Sequence, residues 1–209
     1  MSRPVVSTLR WSVLTLLGLA LGFGLGLAAG DPVEALVGMI LVTPVLTALA
    51  GGTFGSVQWL GARRTLSAGW IVASMLGLGA GLALGVVAVE LAGRAITGEQ
   101  VHVRTLSPQV RAVSLAVVGM ACGVALGACQ GWILRRRYGK AGQGRWLRAS
   151  VLGFGGGLAL GSLAADAIAG GIASPLGFAI LVGVGGGLAG WVTGRELERT
   201  VEAGALQPG

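Results

Sequence analysis

The chain holds few groups that could do chemistry, and they recur at fixed spacings. Asp31, Glu90 and Asp166 each follow a tryptophan by twenty residues. Three carboxylates at one level of a helical bundle would form a mouth that attracts cations, a contact ring for a partner, or helix-end residues at hairpin turns. Glu90 has Arg94 four residues on, a helical ion-pair spacing, and Asp31 precedes Pro32, where it can end one helix and cap the next. Gln58 and Gln130 stand five residues before Arg63 and Arg135. An amide in apolar surroundings needs a partner, so these two act as interhelical glue or line a polar path. Arg63, Arg135 and Arg195 are expected to snorkel to headgroups. Cys122 and Cys129, seven apart on one helix, cannot bridge each other and read as small packing residues. One histidine, His102, and no thiolate cluster give haem or zinc no support. No nucleophile–base set is visible, and Gly153-Phe154-Gly155-Gly156-Gly157 lacks the strand and the G-K-[ST] ending of a phosphate loop. No catalytic residue, metal ligand or cofactor is assigned.

The elements that must position these groups are set by long uncharged gaps. They contain 20 residues between Arg10 and Asp31, 28 between Glu34 and Arg63, and 25 between Arg64 and Glu90. A further 23 lie between Arg111 and Arg135, 17 between Arg148 and Asp166, and 28 between Asp166 and Arg195. A spanning helix needs about 20 apolar residues, so six transmembrane helices are expected. The composition agrees: of 209 residues 54% are hydrophobic and 11% charged, against about 25% charged in soluble domains, and mean hydropathy is +0.81. Outer-membrane strands would alternate over about 10 residues, and these runs do not. Forty glycines without a period of three exclude collagen. The first segment resembles a signal peptide in its flanks, but its internal pattern returns twice, which marks it as part of the mature fold.

Twelve of the fifteen basic residues fall on one side of these spans with three of the eight acids. The positive-inside rule then places both termini in the cytoplasm of a bacterial inner-membrane protein. This separation accounts for the net charge of +7 without nucleic acid.

Three helical hairpins repeat, over residues 10–64, 69–137 and 145–199 of a single membrane domain, 1–209, followed by a disordered tail, 200–209. Each opens with W-x6-G-x3-G-x3-G-x4-[DE]. The glycines are Gly18, Gly22 and Gly26, then Gly77, Gly81 and Gly85, then Gly153, Gly157 and Gly161. The returning helices carry Gly51 and Gly55, Gly123 and Gly127, and Gly183 and Gly187. Three residues past each second glycine stand Gln58, Gln130 and Gly190, and eight past it Arg63, Arg135 and Arg195. The expected fold is an all-α integral membrane protein built as three parallel repeats in a pseudo-threefold bundle. Glycine every fourth residue makes a stripe on which two backbones approach closely; such a groove could also admit a pigment or lipid. Trp11, Trp59, Trp70, Trp132, Trp146 and Trp191 all fall near one interface, as headgroup anchors would. Residues 93–110 are expected as the longest external loop and 135–148 as a basic cytoplasmic loop facing anionic lipid or an acidic partner.

With its "GSVQWLGARR" and "GACQGWILRRR" segments the chain resembles uncharacterised bacterial multipass membrane proteins whose hairpins end in G-x-x-Q-W-x-x-L-R-like motifs. The likeness covers roughly residues 10–195, departs at Gly190, and implies architecture without an activity. Mitochondrial carriers also use three hairpins, but their P-x-[DE]-x-x-[KR] signature is absent, which leaves an analogy. Two functions follow. The leading one is a non-catalytic integral membrane subunit, packed against other membrane proteins, lipids or pigments as an accessory or assembly component. The alternative is a small solute or ion transporter or channel with a central polar path.

Overall fold

The computed structural model describes residues 7–37, 39–63, 65–98 and 106–205, with side chains described throughout these except at 26–44, 97, 141, 204 and 205. Among the described residues there are six helices and no strand: α1 (Thr8–Val37), α2 (Met39–Ala62), α3 (Gly69–Thr97), α4 (Pro108–Tyr138), α5 (Lys140–Ala169) and α6 (Pro175–Ala205). Five of them are long and apolar enough to cross a membrane, the windows being Thr8–Leu25, Gly69–Ile96, Pro108–Tyr138, Gly142–Ala169 and Pro175–Ala203. Each helix packs on its neighbours in the chain, and α6 packs back on α1, so the six form a closed ring.

Glycine sets which faces meet. A Cβ at Gly18 would lie 3.0 Å from Phe54 Cα, and one at Gly22 2.6 Å from the Ala50 carbonyl oxygen. In the next hairpin Gly77, Gly81 and Gly85 lie against Leu126, Cys122 and Val118. In the last, Gly153, Gly157 and Gly161 lie against Ala189, Gly185 and Leu181. Every step of four along the outgoing helix is met by a step of four back along its partner, as antiparallel helices with matched stripes require. Backbone contact at such range gives the dispersion that lipid-solvated helices need in place of a hydrophobic drive. The returning helices use a second stripe against the following helix. Gly51 and Gly55 meet Ser74, Met75 and Ile71 of α3, and Gly119, Gly123 and Gly127 meet Phe154, Ser150, Val151 and Leu147 of α5.

Helix ends differ from the sequence expectation in three places. α1 does not stop at Asp31 and Pro32 but runs to Val37. The basic stretch 135–148 is not a loop: α4 ends at Tyr138, α5 begins at Lys140, and Gly139 alone turns the chain, at φ 79°, a region that favours glycine. Arginines are good helix formers, so a basic run does not itself break a helix. Finally, α6 continues through Ala205, with Thr200 and Val201 buried, so the first six residues of the stretch expected as a disordered tail, 200–205, are helical. Its start is capped by Ser174, whose Oγ accepts the Gly177 N–H at 2.9 Å beside Pro175.

These contacts predict opposite responses at two glycines. Gly77→Val places its Cβ 2.7 Å from Leu126 Cα and is expected to lower stability by about 2 kcal/mol, within the range for overpacking. A Cβ at Gly183 meets nothing within 4 Å, so Gly183→Ala should leave stability unchanged to within about 0.5 kcal/mol. Thermal unfolding in detergent, followed by circular dichroism, checks both.

Candidate functional site

The returning helices end, and the outgoing helices begin, around three indole rings. Trp11, Trp70 and Trp146 are fully buried, at 0%, 0% and 1% exposure. Their ring centroids lie 5.9, 6.2 and 5.5 Å apart, and all three pairs are edge-to-face. That is the geometry aromatic quadrupoles favour, at about 0.5–1.5 kcal/mol a pair beyond burial. Ala62, Leu66, Leu134, Leu197 and Val201 complete this layer. The expectation of six headgroup anchors is therefore corrected: these three rings lie inside the bundle. Trp132 and Trp191 are half exposed, at 48% and 50%, stacked with Arg136 at 3.7 Å and Arg195 at 5.8 Å, and Trp59 is partly buried against the tryptophan layer.

An indole N–H taken into an apolar core needs an acceptor. Trp70 Nε1 donates to Gln58 Oε1 at 2.9 Å, and Gln58 Nε2 donates to Thr15 Oγ1 at 2.9 Å. Gln130 Nε2 donates to Ser74 Oγ at 2.9 Å, and that hydroxyl donates on to the Trp70 carbonyl at 2.8 Å. Trp11 Nε1 donates to Thr193 Oγ1 at 3.0 Å, and Thr193 donates to the Ala189 carbonyl at 2.7 Å. The glutamines are glue between helices α1, α2, α3 and α4. The arrangement is not equivalent at all three rings, because Trp146 Nε1 and Ser150 Oγ are buried without a hydrogen-bond partner among the described residues.

The acceptor for Trp11 corrects the alignment of the third hairpin. Gly55 lies against Ile71 and Ser74, Gly127 against Leu147 and Ser150, and Gly190 against Ser12 and Thr15. In each case the neighbours stand one and four residues after the central tryptophan. By contact, then, Gly190 matches Gly55 and Gly127, and Thr193 stands where Gln58 and Gln130 stand. The stripe of α6 that meets α1 is Gly186, Gly190 and Gly194, whereas Cβ atoms at Gly183 and Gly187 would meet nothing within 4 Å. The same shift puts Glu198, not Arg195, at the place of Arg63 and Arg135. Glu198 Oε2 accepts from Thr8 Oγ1 at 2.6 Å, again joining α6 to α1. Arg63, Arg135 and Arg195 themselves are exposed.

The acids at the other end do not form a ring of free carboxylates among the described residues. Glu90 pairs with Arg94 at 2.6 Å, with side chains 40% and 50% exposed. Asp166 pairs with Arg111 at 2.6 Å, with both side chains 10% exposed. The side chain of Asp31, the packing around Gly26, and residues 99–105 with His102 lie outside the described parts. Arg111 is a residue that sequence reasoning missed as a partner, since 55 positions separate it from Asp166 and no local spacing connects them. Between the two ends the interior is filled by Leu19, Phe54, Leu78, Cys122, Leu126 and Phe154, with the phenylalanine rings edge-to-face at 6.3 Å. No group of three or more His, Cys, Asp or Glu side chains able to hold a metal comes together among the described residues.

No family model matches this chain, and no curated protein or solved structure compared with it matches either. The geometry is therefore the ground for any functional reading.

Two substitutions separate the corrected alignment from the original one. Thr193→Val, which leaves the Trp11 N–H without its acceptor, should cost about 1–2 kcal/mol. Gly190→Gln, which the uncorrected alignment makes neutral, should cost more, because its Cβ would sit 2.7 Å from Ser12 Cα. A second pair ranks the acids. Asp166→Asn removes the carboxylate paired with the buried Arg111 and should cost about 3 kcal/mol, whereas Glu90→Gln at an exposed pair should cost under about 1 kcal/mol. Equal losses for the two acid variants would contradict this ranking.

Proposed function

We propose that this chain is a non-catalytic integral membrane subunit. It packs its outer wall against other membrane proteins, lipids or pigments as an accessory or assembly component of a larger complex. In this reading it lies in a bacterial inner membrane with both termini in the cytoplasm, as three parallel hairpins about a pseudo-threefold axis. The observation that carries the proposal is the contrast between interior and wall. The middle is filled by aromatic and aliphatic side chains, while long residues such as Leu17, Leu76, Leu84, Val113, Leu160 and Leu176 project outward. A wall of this kind needs an apolar environment or partner.

The transporter reading is the weaker one. It requires Gln58 and Gln130 to face a path, yet their amides are engaged with Thr15, Trp70 and Ser74. It requires free acids at a mouth, yet Glu90 and Asp166 each hold an arginine.

The test is the mass and composition of the native particle, extracted in mild detergent with lipids and pigments retained. A particle larger than a few copies, with stoichiometric partner proteins or chromophores, is expected. A lone particle of one to three copies that conducts a solute in vesicles, and stops doing so when Gln58 and Gln130 become Leu, would overturn the proposal in favour of transport.

A further inference from the structure

Four arginines converge on one groove in the outer wall. Between α5 and α6, at the tryptophan end, a groove of about 450 Å³ is lined by Arg145 and Arg148 from one helix and Arg195 and Arg199 from the other. On α5 the residues at 145, 148 and 152 share a face by helical spacing, and on α6 those at 191, 195 and 199 do. The helices run antiparallel, so both place their arginines toward the same end. Both also place apolar side chains, Leu152 and Trp191, toward the middle of the bundle. Leu152 is 69% exposed and lies about 10 Å along the helix from Arg145.

The charge in this groove is unbalanced. Its one acid, Glu196, is buried and engaged with Arg145 at 3.0 Å and Arg199 at 3.7 Å. Arg148 and Arg195 have no carboxylate partner among the described residues, and Arg195 lies over the Trp191 ring, 5.8 Å from its centroid. A cleft with guanidinium groups at one end and an exposed leucine and indole at the other has the polarity of one lipid molecule. Guanidinium groups bind phosphate oxygens in a planar, two-pronged fashion, and a half-exposed indole suits the level of the headgroup.

We infer that this groove is a binding site for an anionic phospholipid, with the phosphate on Arg148 and Arg195 and an acyl chain along Leu152 and Trp191. Glu196 is ion-paired with Arg145 and Arg199 at the rim. A lipid seated here bridges the last two helices at the end where the three indoles meet. The inference rests on the membrane character of the bundle but not on its being a subunit. Its failure would leave the native particle mass, and the reading drawn from it, untouched.

The test uses the full chain in detergent and native mass spectrometry, with phosphatidylglycerol and phosphatidylcholine of matched chains as probes. The parent should retain one phosphatidylglycerol in preference to phosphatidylcholine. At about fivefold per basic residue, Arg148→Gln with Arg195→Gln should weaken that binding roughly 25-fold. The control pair Arg136→Gln with Arg137→Gln removes equal charge from α4 and should change it by less than about threefold. Equal retention of the two lipids, or equal loss in both double variants, would overturn the inference by showing only diffuse charge. Displacement of the lipid by millimolar glycerol phosphate would overturn it in favour of a soluble phosphate ligand. If the Arg148/Arg195 variant does not fold, the parent's lipid preference and the competition experiment still decide.

Discussion

The structure depends on how three indole rings are taken out of water and lipid together. Each brings a large apolar area that packs well against the others only edge-to-face, and each brings one N–H that must find an acceptor inside the bundle. Placing Trp11, Trp70 and Trp146 in mutual contact requires α1, α3 and α5 to converge at one end. The returning helices α2, α4 and α6 then occupy the gaps. Two of them supply glutamines and one a threonine at that level. The closure of α6 on α1 is the step that makes six helices a ring, and it is held by polar side chains as well as close backbones: Trp11 to Thr193 and Thr8 to Glu198.

The glycines follow from that convergence. Helices that meet at an indole layer splay apart beyond it unless small residues let them stay close. The stripes along α1, α3 and α5 keep each outgoing helix against its own returning partner, and the stripes on α2, α4 and α6 keep that partner against the next helix. Bulk is restored only in the interior, where Phe54 and Phe154 meet, and on the wall. The far end is held differently, by the buried Arg111–Asp166 pair, which links α4 to α5 where a carboxylate alone would be expensive to bury.

Much of this was legible in the residues. Charge gaps place the helices because a charge within a span is costly, and stripes of glycine mark the faces that touch. What escaped was direction and register. A tryptophan near a helix end reads equally as an anchor or as core. The signal that separates them was present in Thr15, Ser74 and Ser150, small hydroxyl residues four positions after each central tryptophan and all buried. In α6 two glycine stripes, one through Gly183 and Gly187 and one through Gly186, Gly190 and Gly194, obey the same spacing, and only the contacts with α1 choose between them. The helix break confined to Gly139 was hidden because a basic run reads as a loop, although lysine and arginine favour helix. The arginine groove escaped for another reason: residues 145–148 and 195–199 lie in different hairpins, and only the packing of α5 on α6 unites them.

Fluorescence quenching tests the central claim most directly. A full-length variant with Trp59, Trp132 and Trp191 replaced by Phe keeps only the three central indoles. With these rings packed on one another, acrylamide in the buffer and brominated lipid in the bilayer should each quench this variant far less than they quench the parent chain. Strong quenching by acrylamide would place water among the rings, and strong quenching by brominated lipid would place the rings on the outer wall. Either result would contradict a bundle closed around its tryptophans.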